Sequence, residues 1–250
     1  MIVRFLKSKR RTHLRPAPMG PLVVIGDIHG RLDLLDKLLA QIETDPDLGC
    51  GYDLVVAGDM VDRGPESLGV IDRVMSLSQV RPIPVITLMG NHERMMLDFI
   101  EGGDSGFTWL RVGGRETLAS LGLPLADQAL SEPDTLRAEI RDALGPDRIA
   151  WLSALPLLYR TGNVICVHAA YDAQQPEDRQ DPKTLLWGSS EFYRRKHLEP
   201  PWIIHGHVVT RPPAVVGVRI AVDSGAWLGG GLTAAVVLPD TEARFITVDI

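Results

Sequence analysis

No apolar run in this 250-residue chain is long enough to cross a bilayer, so the sequence offers no membrane-spanning segment. Cysteine is nearly absent. Cys50 and Cys166 stand far apart, and Cys166 lies inside the apolar run Val164-Ile165-Cys166-Val167, where core packing is its expected role. A disulfide-free cytoplasmic protein is therefore expected. Repeats and long polar linkers are also missing, which favours one domain at this length. With 45% hydrophobic and 23% charged residues, the composition is that of a globular chain, not a disordered one.

Acidic residues are missing from the first twenty positions, which carry Arg4, Lys7, Lys9, Arg10, Arg11 and Arg15. Because the whole chain has a net charge of −6, this basic arm precedes a distinctly acidic body. The arm lacks the apolar core of a secretory signal, and Pro16 and Pro18 predict an extended, solvated lead-in to the first strand. The acidic body argues against extended nucleic-acid binding.

Short apolar runs rich in β-branched residues recur at 22–25, 54–57, 85–88, 164–167, 202–204, 220–222, 234–238 and 245–248, and each reads as a buried strand. Helical spacing of Leu32, Leu35, Leu39 and Ile42 predicts a helix over 31–43, and 66–77 and 94–101 also suit helices. Alternation of strand and helix in the first half implies a mainly parallel sheet, while the closely spaced strands near the carboxyl terminus are expected to be antiparallel. The fold class is mixed, layered α/β. Residues 122–155, with expected helices at 135–144 and 147–155, read as a cap or lateral insertion.

The strands of the first half end in polar clusters: Gly26-Asp27-Ile28-His29-Gly30, Gly58-Asp59-Met60-Val61-Asp62-Arg63-Gly64 and Gly90-Asn91-His92-Glu93. Later strands run into His168 and into His205-Gly206-His207. Ligands of open α/β sheets bind at the carboxyl ends of strands, so five clusters are expected to converge on one rim. Taken singly, an Asp-x-His pair is usually a solvated turn and a lone histidine a core residue. Five of the seven histidines fall in these clusters, however, and chance placement does not account for that.

Asp, His and Asn without cysteine make a mixed oxygen and nitrogen donor set, suited to Mn²⁺, Fe or Zn²⁺. Asp27, His29, Asp59, Asn91, His168 and His207 are too many donors for one ion, and the central Asp59 is the natural bridge between two. Arg63, ahead of Gly64-Pro65, is held near the rim with a guanidinium fork suited to bidentate contact with an anion, in preference to a surface pair with Glu66. Glu93 at a helix start reads as structural. His205 is left open between a substrate contact, a support to the ligands and a core residue. His13 and His197 read as solvated.

The three glycine-flanked clusters, continued by Val167-His168, His205-Gly206-His207 and Asp223-Ser224-Gly225, resemble the signature of the phosphoprotein phosphatase family, in its compact bacterial branch. The resemblance covers nearly everything after the arm. It implies a metallophosphoesterase domain over 21–250, built as a central β-sandwich flanked by helices with a dinuclear centre at strand ends. One metal would take Asp27, His29 and Asp59, and the other Asp59, Asn91, His168 and His207. A metal-bridging hydroxide would attack phosphorus in line. His92 would protonate the leaving oxygen, Asp62 would orient His92, and Arg63 and Asn91 would hold phosphate oxygens.

Bacterial relatives carry a second phosphate-binding arginine where this chain has Ser189, in Trp187-Gly188-Ser189-Ser190-Glu191-Phe192. Arg115, Arg194, Arg195 and Arg211 are the candidates to replace it. The substrate reading is a phosphomonoester, phosphoserine or phosphothreonine in protein. The alternatives are symmetrical hydrolysis of diadenosine tetraphosphate and a catalytically silent module that binds phosphorylated partners. The stretch Trp109-Leu110-Arg111-Val112-Gly113-Gly114 occurs across the branch and does not separate them.

Overall fold

The computed structural model describes residues 15–49, 51–80, 83–103, 106–123, 132–194, 198–199 and 201–250. Arg4, Lys7, Lys9, Arg10, Arg11 and His13 of the arm, Cys50, Arg195, His197 and residues 124–131 of the expected cap lie outside the described residues. The strands in chain order are β1 (Leu22–Ile25), β2 (Asp53–Val56), β3 (Val85–Thr87), β4 (Leu158–Thr161), β5 (Val164–Val167), β6 (Trp202–His205), β7 (Ala214–Val216), β8 (Arg219–Ala221), β9 (Leu232–Val237) and β10 (Arg244–Val248). They form two five-stranded sheets, ordered β10-β9-β1-β2-β3 and β4-β5-β6-β8-β7.

Continuous apolar strands arise because both faces of each sheet are covered. In β1, Val23 and Ile25 join the cluster under the helices, while the alternate residues Leu22 and Val24 meet the second sheet. In β5, Val164 and Cys166 face the first sheet, and Ile165 and Val167 face an outer cluster with Leu185 and Phe192. The result is a β-sandwich with helices outside both sheets. Helix α1 (Leu32–Glu43) buries Leu34, Leu35, Leu38, Leu39 and Ile42 against the first sheet, each such leucine or isoleucine contributing roughly 1.5–3 kcal/mol of transfer free energy.

The parallel core is more extensive than expected. β1, β2 and β3 run parallel, and so do β5, β6 and β8 in the second half; β9 pairs antiparallel with both β1 and β10, and β4–β5 and β7–β8 are antiparallel pairs at the edges of the second sheet. The remaining helices are α2 (Ser67–Val80), α3 (Asn91–Ile100), α4 (Phe107–Trp109), α5 (Arg115–Ser120), α6 (Pro133–Ser153), α7 (Pro182–Trp187) and α8 (Ser190–Arg194), with one π-type turn at Leu110–Gly114. The two helices expected at 135–144 and 147–155 are the arms of α6, kinked where Gly145 (φ 75°) precedes Pro146. Helix α3 begins three residues before the expected 94, because the Glu93 carboxylate turns back to accept the Gly90 N–H (2.9 Å). Asn91 and His92 thereby become its first turn.

The last residues of the basic arm are not a solvated leader. Ala17 N–H donates to Asn163 Oδ1 (2.6 Å), Met19 N–H to Thr161 Oγ1 (3.0 Å) and Asp240 N–H to the Pro16 carbonyl (3.0 Å), with Pro16 and Pro18 buried. The stretch thus links the β4–β5 turn to the β9–β10 turn. No described helix is long and apolar enough to cross a membrane.

Candidate metal centre

Parallel strands deliver their carboxyl ends to one place: Asp27 follows β1, Asp59 follows β2, His168 follows β5 and His207 follows β6. Asn91 arrives at the start of α3. All of these except the half-buried His207 are buried. His29 (φ 47°), Asp59 (50°), Asp62 (73°), Arg63 (67°) and His207 (66°) are five of the six described non-glycine residues with left-handed backbone, a strain on the order of 1–3 kcal/mol each that clusters at functional sites.

Asp59 is the hub. Its Oδ1 accepts the His92 backbone N–H (3.0 Å), leaving Oδ2 3.5 Å from His29 Nε2 on one side and 3.5 Å from His168 Nε2 on the other. Two ligand triads, His29-Asp59-His92 and Asp59-His168-His207, therefore share one carboxylate. The Glu93 carboxylate accepts from the backbone N–H groups of Asp59 (2.9 Å), Met60 (2.7 Å) and Val61 (3.1 Å) and so fixes the Asp59 loop. A Cβ at Gly90 would collide with Asp59 Oδ1, so only glycine admits this approach.

The donor chemistry fits a pair of cations. His29 Nδ1 bonds the Val61 carbonyl (2.8 Å) and His168 Nδ1 the Ala57 carbonyl (2.9 Å), so each ring is held with its Nε2 turned inward. His168 Nε2 and His207 Nδ1 each lie 2.9 Å from Asn91 Oδ1. Two ring nitrogens and one amide oxygen thus converge on one point beside Asp59, the donor types of a coordination set. Burial pushes His29 down to about 3 and His207 to about 4, which keeps both neutral. Asp27 joins neither triad as the side chains stand: both of its oxygens accept the His207 backbone N–H at 3.1 Å, and burial with the charges of Asp223 and Asp59 raises its pKa.

The opposite side holds the proton machinery. His92 Nδ1 bonds Asp62 Oδ2 at 2.6 Å, and its Nε2 faces the centre. Burial alone would lower the His92 pKa, but the Asp59 charge and the Asp62 hydrogen bond and charge together raise it. Asp62 also accepts from Trp109 Nε1–H (3.0 Å) and Thr117 Oγ1–H (2.6 Å), while its backbone N–H is bonded to Ser67 and Thr117 hydroxyls. Arg63 donates from Nη1 to His29 Nε2 (3.0 Å) and from Nη2 to His92 Nε2 (2.9 Å), and lies 4.5 Å over the Trp227 ring. At Gly113 (φ 133°) a Cβ would come within 2.6 Å of Arg63 Cγ. The Trp109–Gly114 stretch is thus a strut behind Asp62 and Arg63.

Sequence reasoning left Trp109, Thr117 and Ser67 out. The Trp109–Gly114 pattern was the available signal for the first, while nothing in the sequence distinguishes Thr117 or Ser67 from surface residues. His205 is buried between the rings of Phe192 (5.2 Å) and Tyr193 (5.9 Å), and burial lowers it to about 4. Ser189 caps α8, its Oγ accepting the Phe192 N–H (3.1 Å). Of the arginines considered in its place, Arg211 is committed to the Ser224 and Gly225 carbonyls, and Arg115 shares a cavity with Arg63.

Comparison with known proteins matches residues 20–231 to the family model described as calcineurin-like phosphoesterase. The chain is 30% identical over 219 residues to Serine/threonine-protein phosphatase 1 of Salmonella typhimurium, covering 85% of this chain and 89% of that one. It is 26% identical over 234 residues to the asymmetrical bis(5'-nucleosyl)-tetraphosphatase PrpE of a Geobacillus species, covering 84% and 88%. It is 34% identical over 155 residues to the symmetrical bis(5'-nucleosyl)-tetraphosphatase of Nitrosococcus oceani, covering 61% and 45%. The crystal structure of a cold-active protein-tyrosine phosphatase from a psychrophilic Shewanella shares the fold, with a TM-score of 0.58 at 19% identity over 90% of this chain and 80% of that one. With the shared carboxylate, the inward ring nitrogens and a family match that runs from β1 through β8, the chain belongs to the calcineurin-like phosphoesterases and is a hydrolase of that metal-dependent family.

Proposed function

We propose that the protein hydrolyses phosphomonoesters, with phosphoserine and phosphothreonine in proteins as substrates. The observation that carries this reading is His92, tied through Nδ1 to Asp62 and turned through Nε2 towards the centre beside Arg63. Asp27, His29 and Asp59 would hold one cation, and Asp59, Asn91, His168 and His207 the other. The donor set suits Mn²⁺ first, with Fe or Zn²⁺ accepted. When bound, the pair supplies an activated water and neutralises charge gathering on the phosphoryl oxygens.

The chain's own residues do the rest. As the imidazolium, His92 would give its Nε2 proton to the leaving oxygen once the Arg63 fork has turned from that nitrogen to the phosphate, and Asp62, accepting from Nδ1–H, orients the ring and favours its protonated form. The Arg63 fork and the Asn91 amide bind the non-bridging oxygens. The catalytic domain spans 21–250, and α6 forms a lateral insertion whose Arg137 and Arg141 donate to the last carbonyls of α3, Phe99 (2.8 Å) and Ile100 (2.7 Å). The buried free thiol of Cys166 agrees with a cytoplasmic setting.

The second reading, hydrolysis of dinucleoside polyphosphates, draws on the two named tetraphosphatases among the relatives. Steady-state turnover of Mn²⁺-loaded protein on a phosphoserine peptide and on diadenosine tetraphosphate separates them, with His92→Asn and metal-stripped protein as controls. Higher kcat/KM on the peptide is expected. Dominant release of ADP would indicate a symmetrical tetraphosphatase, and AMP with ATP an asymmetrical one. Absence of metal-dependent turnover on both would leave a phospho-partner binding module.

A further inference from the structure

Beside the metal centre lies a cavity of about 580 Å³ whose lining includes Arg63, Arg111, Arg115, Glu116 and Trp227. Arg63 closes its inner end, since the same guanidinium reaches His29 and His92. The cavity therefore opens on the side where His92 would protonate the leaving group. Three guanidiniums face one carboxylate here, on a chain whose net charge is −6.

Among the described residues, two of those cations have no ionic partner. Arg111 and Arg115 are exposed, and among the described residues neither pairs with a carboxylate; Arg111 only stacks 5.5 Å from the Phe107 ring. Other surface arginines are neutralised, Arg73 by Asp36 (2.7 Å) and Arg148 by Asp72 (2.6 Å), and what sets Arg111 and Arg115 apart from the remaining exposed ones is their place beside Arg63. Exposed apolar side chains accompany the free charges: Val112 (37% exposed) and Trp227 (37%) line the cavity, and Phe107 (54%) lies under Arg111. A mixed cationic and apolar surface of this kind matches a peptide that carries acids.

Resting on the phosphoprotein reading above, we infer that this cavity is the docking site for the chain flanking the phosphorylated residue, and that Arg111 and Arg115 select substrates with acidic side chains there. Arg63 takes the scissile phosphate, while Arg111 and Arg115 read its neighbours. The acidic body would otherwise repel such a peptide, so the two unpaired guanidiniums fix where it lands. This also gives a use to Arg111 and Arg115, the charged side chains carried out to the surface by the strut behind Asp62.

The test compares kcat/KM on a phosphoserine peptide flanked by Asp and Glu, on its twin with Asn and Gln, and on p-nitrophenyl phosphate, which has no flanking chain. The native protein is expected to prefer the acidic peptide about tenfold at low ionic strength, chiefly through KM, with the preference shrinking as salt rises. The Arg111→Gln/Arg115→Gln variant should bring the ratio to about one, and Arg111→Glu/Arg115→Glu should invert it. Equal efficiency on the twin peptides would overturn the inference. So would an equal loss on all three substrates in the variants, which would mean that these arginines grip the scissile phosphate, or, with diadenosine tetraphosphate assayed as a fourth substrate, a loss confined to it, which would give the cavity to a nucleotide. If p-nitrophenyl phosphate is hydrolysed but neither peptide is, the phosphoprotein reading itself fails.

Discussion

Asp59 divides the centre into two sides built on different principles. Towards His92 the protein supplies its own charges: Arg63 donates to two histidine lone pairs, and the Asp62 carboxylate is met by His92, Trp109 and Thr117. Towards His168 the ring nitrogens of His168 and His207 converge on Asn91 Oδ1 at 2.9 Å each, and among the described residues no arginine donates to them. The first side is preorganised for moving a proton and gripping an anion. The second is a coordination set that is completed by a cation. The difference predicts that substitutions on the two sides will separate metal content from turnover, whereas substitution of the hub will not.

The largest effect is expected at the hub. Asp59→Asn removes the one carboxylate common to both triads, so metal content should fall together with kcat/KM, the latter by about 10³-fold or more, given the several kcal/mol a bound cation supplies. Metal analysis and p-nitrophenyl phosphate kinetics on one preparation check it. Retention of two metals with full turnover would mean that Asp59 does not bridge. Next comes His92→Asn, which should lower kcat by about 10²–10⁴-fold while leaving metal content near native. If metal is lost as well, His92 acts as a ligand, as its place in the triad with His29 and Asp59 allows, and the division between the sides breaks.

The two sides were not equally legible in the sequence. Asp27, Asp59, His168 and His207 could be found because each directly follows an apolar strand, and a parallel sheet brings strand ends together. The proton side needed more. Asp62 and Arg63 were visible in their glycine-flanked run, but Trp109 and Thr117, which hold Asp62, come from a turn and helix 47 and 55 residues away whose apolar spacing is too short to read. The start of α3 was placed late because its cap is a side chain reaching back from inside the helix, which periodicity does not register. The parallel pairing of β6 with β8 was missed because the connection between them includes β7, an edge strand with two exposed valines.

A pH profile sharpens the comparison further. The His92 pKa is raised by Asp59 and Asp62, so the acid form persists towards higher pH and turnover should fall as pH rises through the raised value. Asp62→Asn removes one of those causes. The alkaline limb of kcat should then move to lower pH, with kcat reduced roughly 10–100-fold at neutral pH by analogy with other orienting partners. Metal content should stay native, because Asp62 touches His92 and not the converging ring nitrogens. An unmoved alkaline limb would assign the limb to another group.

The smallest effect is expected at Ser189, the position where the family resemblance implies a phosphate-binding arginine. Its Oγ accepts the Phe192 N–H at 3.1 Å and starts a helix of five residues, α8, whose Phe192 packs against His205 and is buried. Ser189→Ala removes one helix cap, worth about 1 kcal/mol, and no group that faces the centre. The urea midpoint should therefore drop slightly while kcat/KM on p-nitrophenyl phosphate stays within about twofold, since 1 kcal/mol of global stability leaves the folded population essentially complete in a protein of ordinary stability. A tenfold loss of turnover without loss of stability would mean that the hydroxyl reaches the phosphate, so that the grip on the anion is not concentrated on the Arg63 side and the contrast between the two sides weakens.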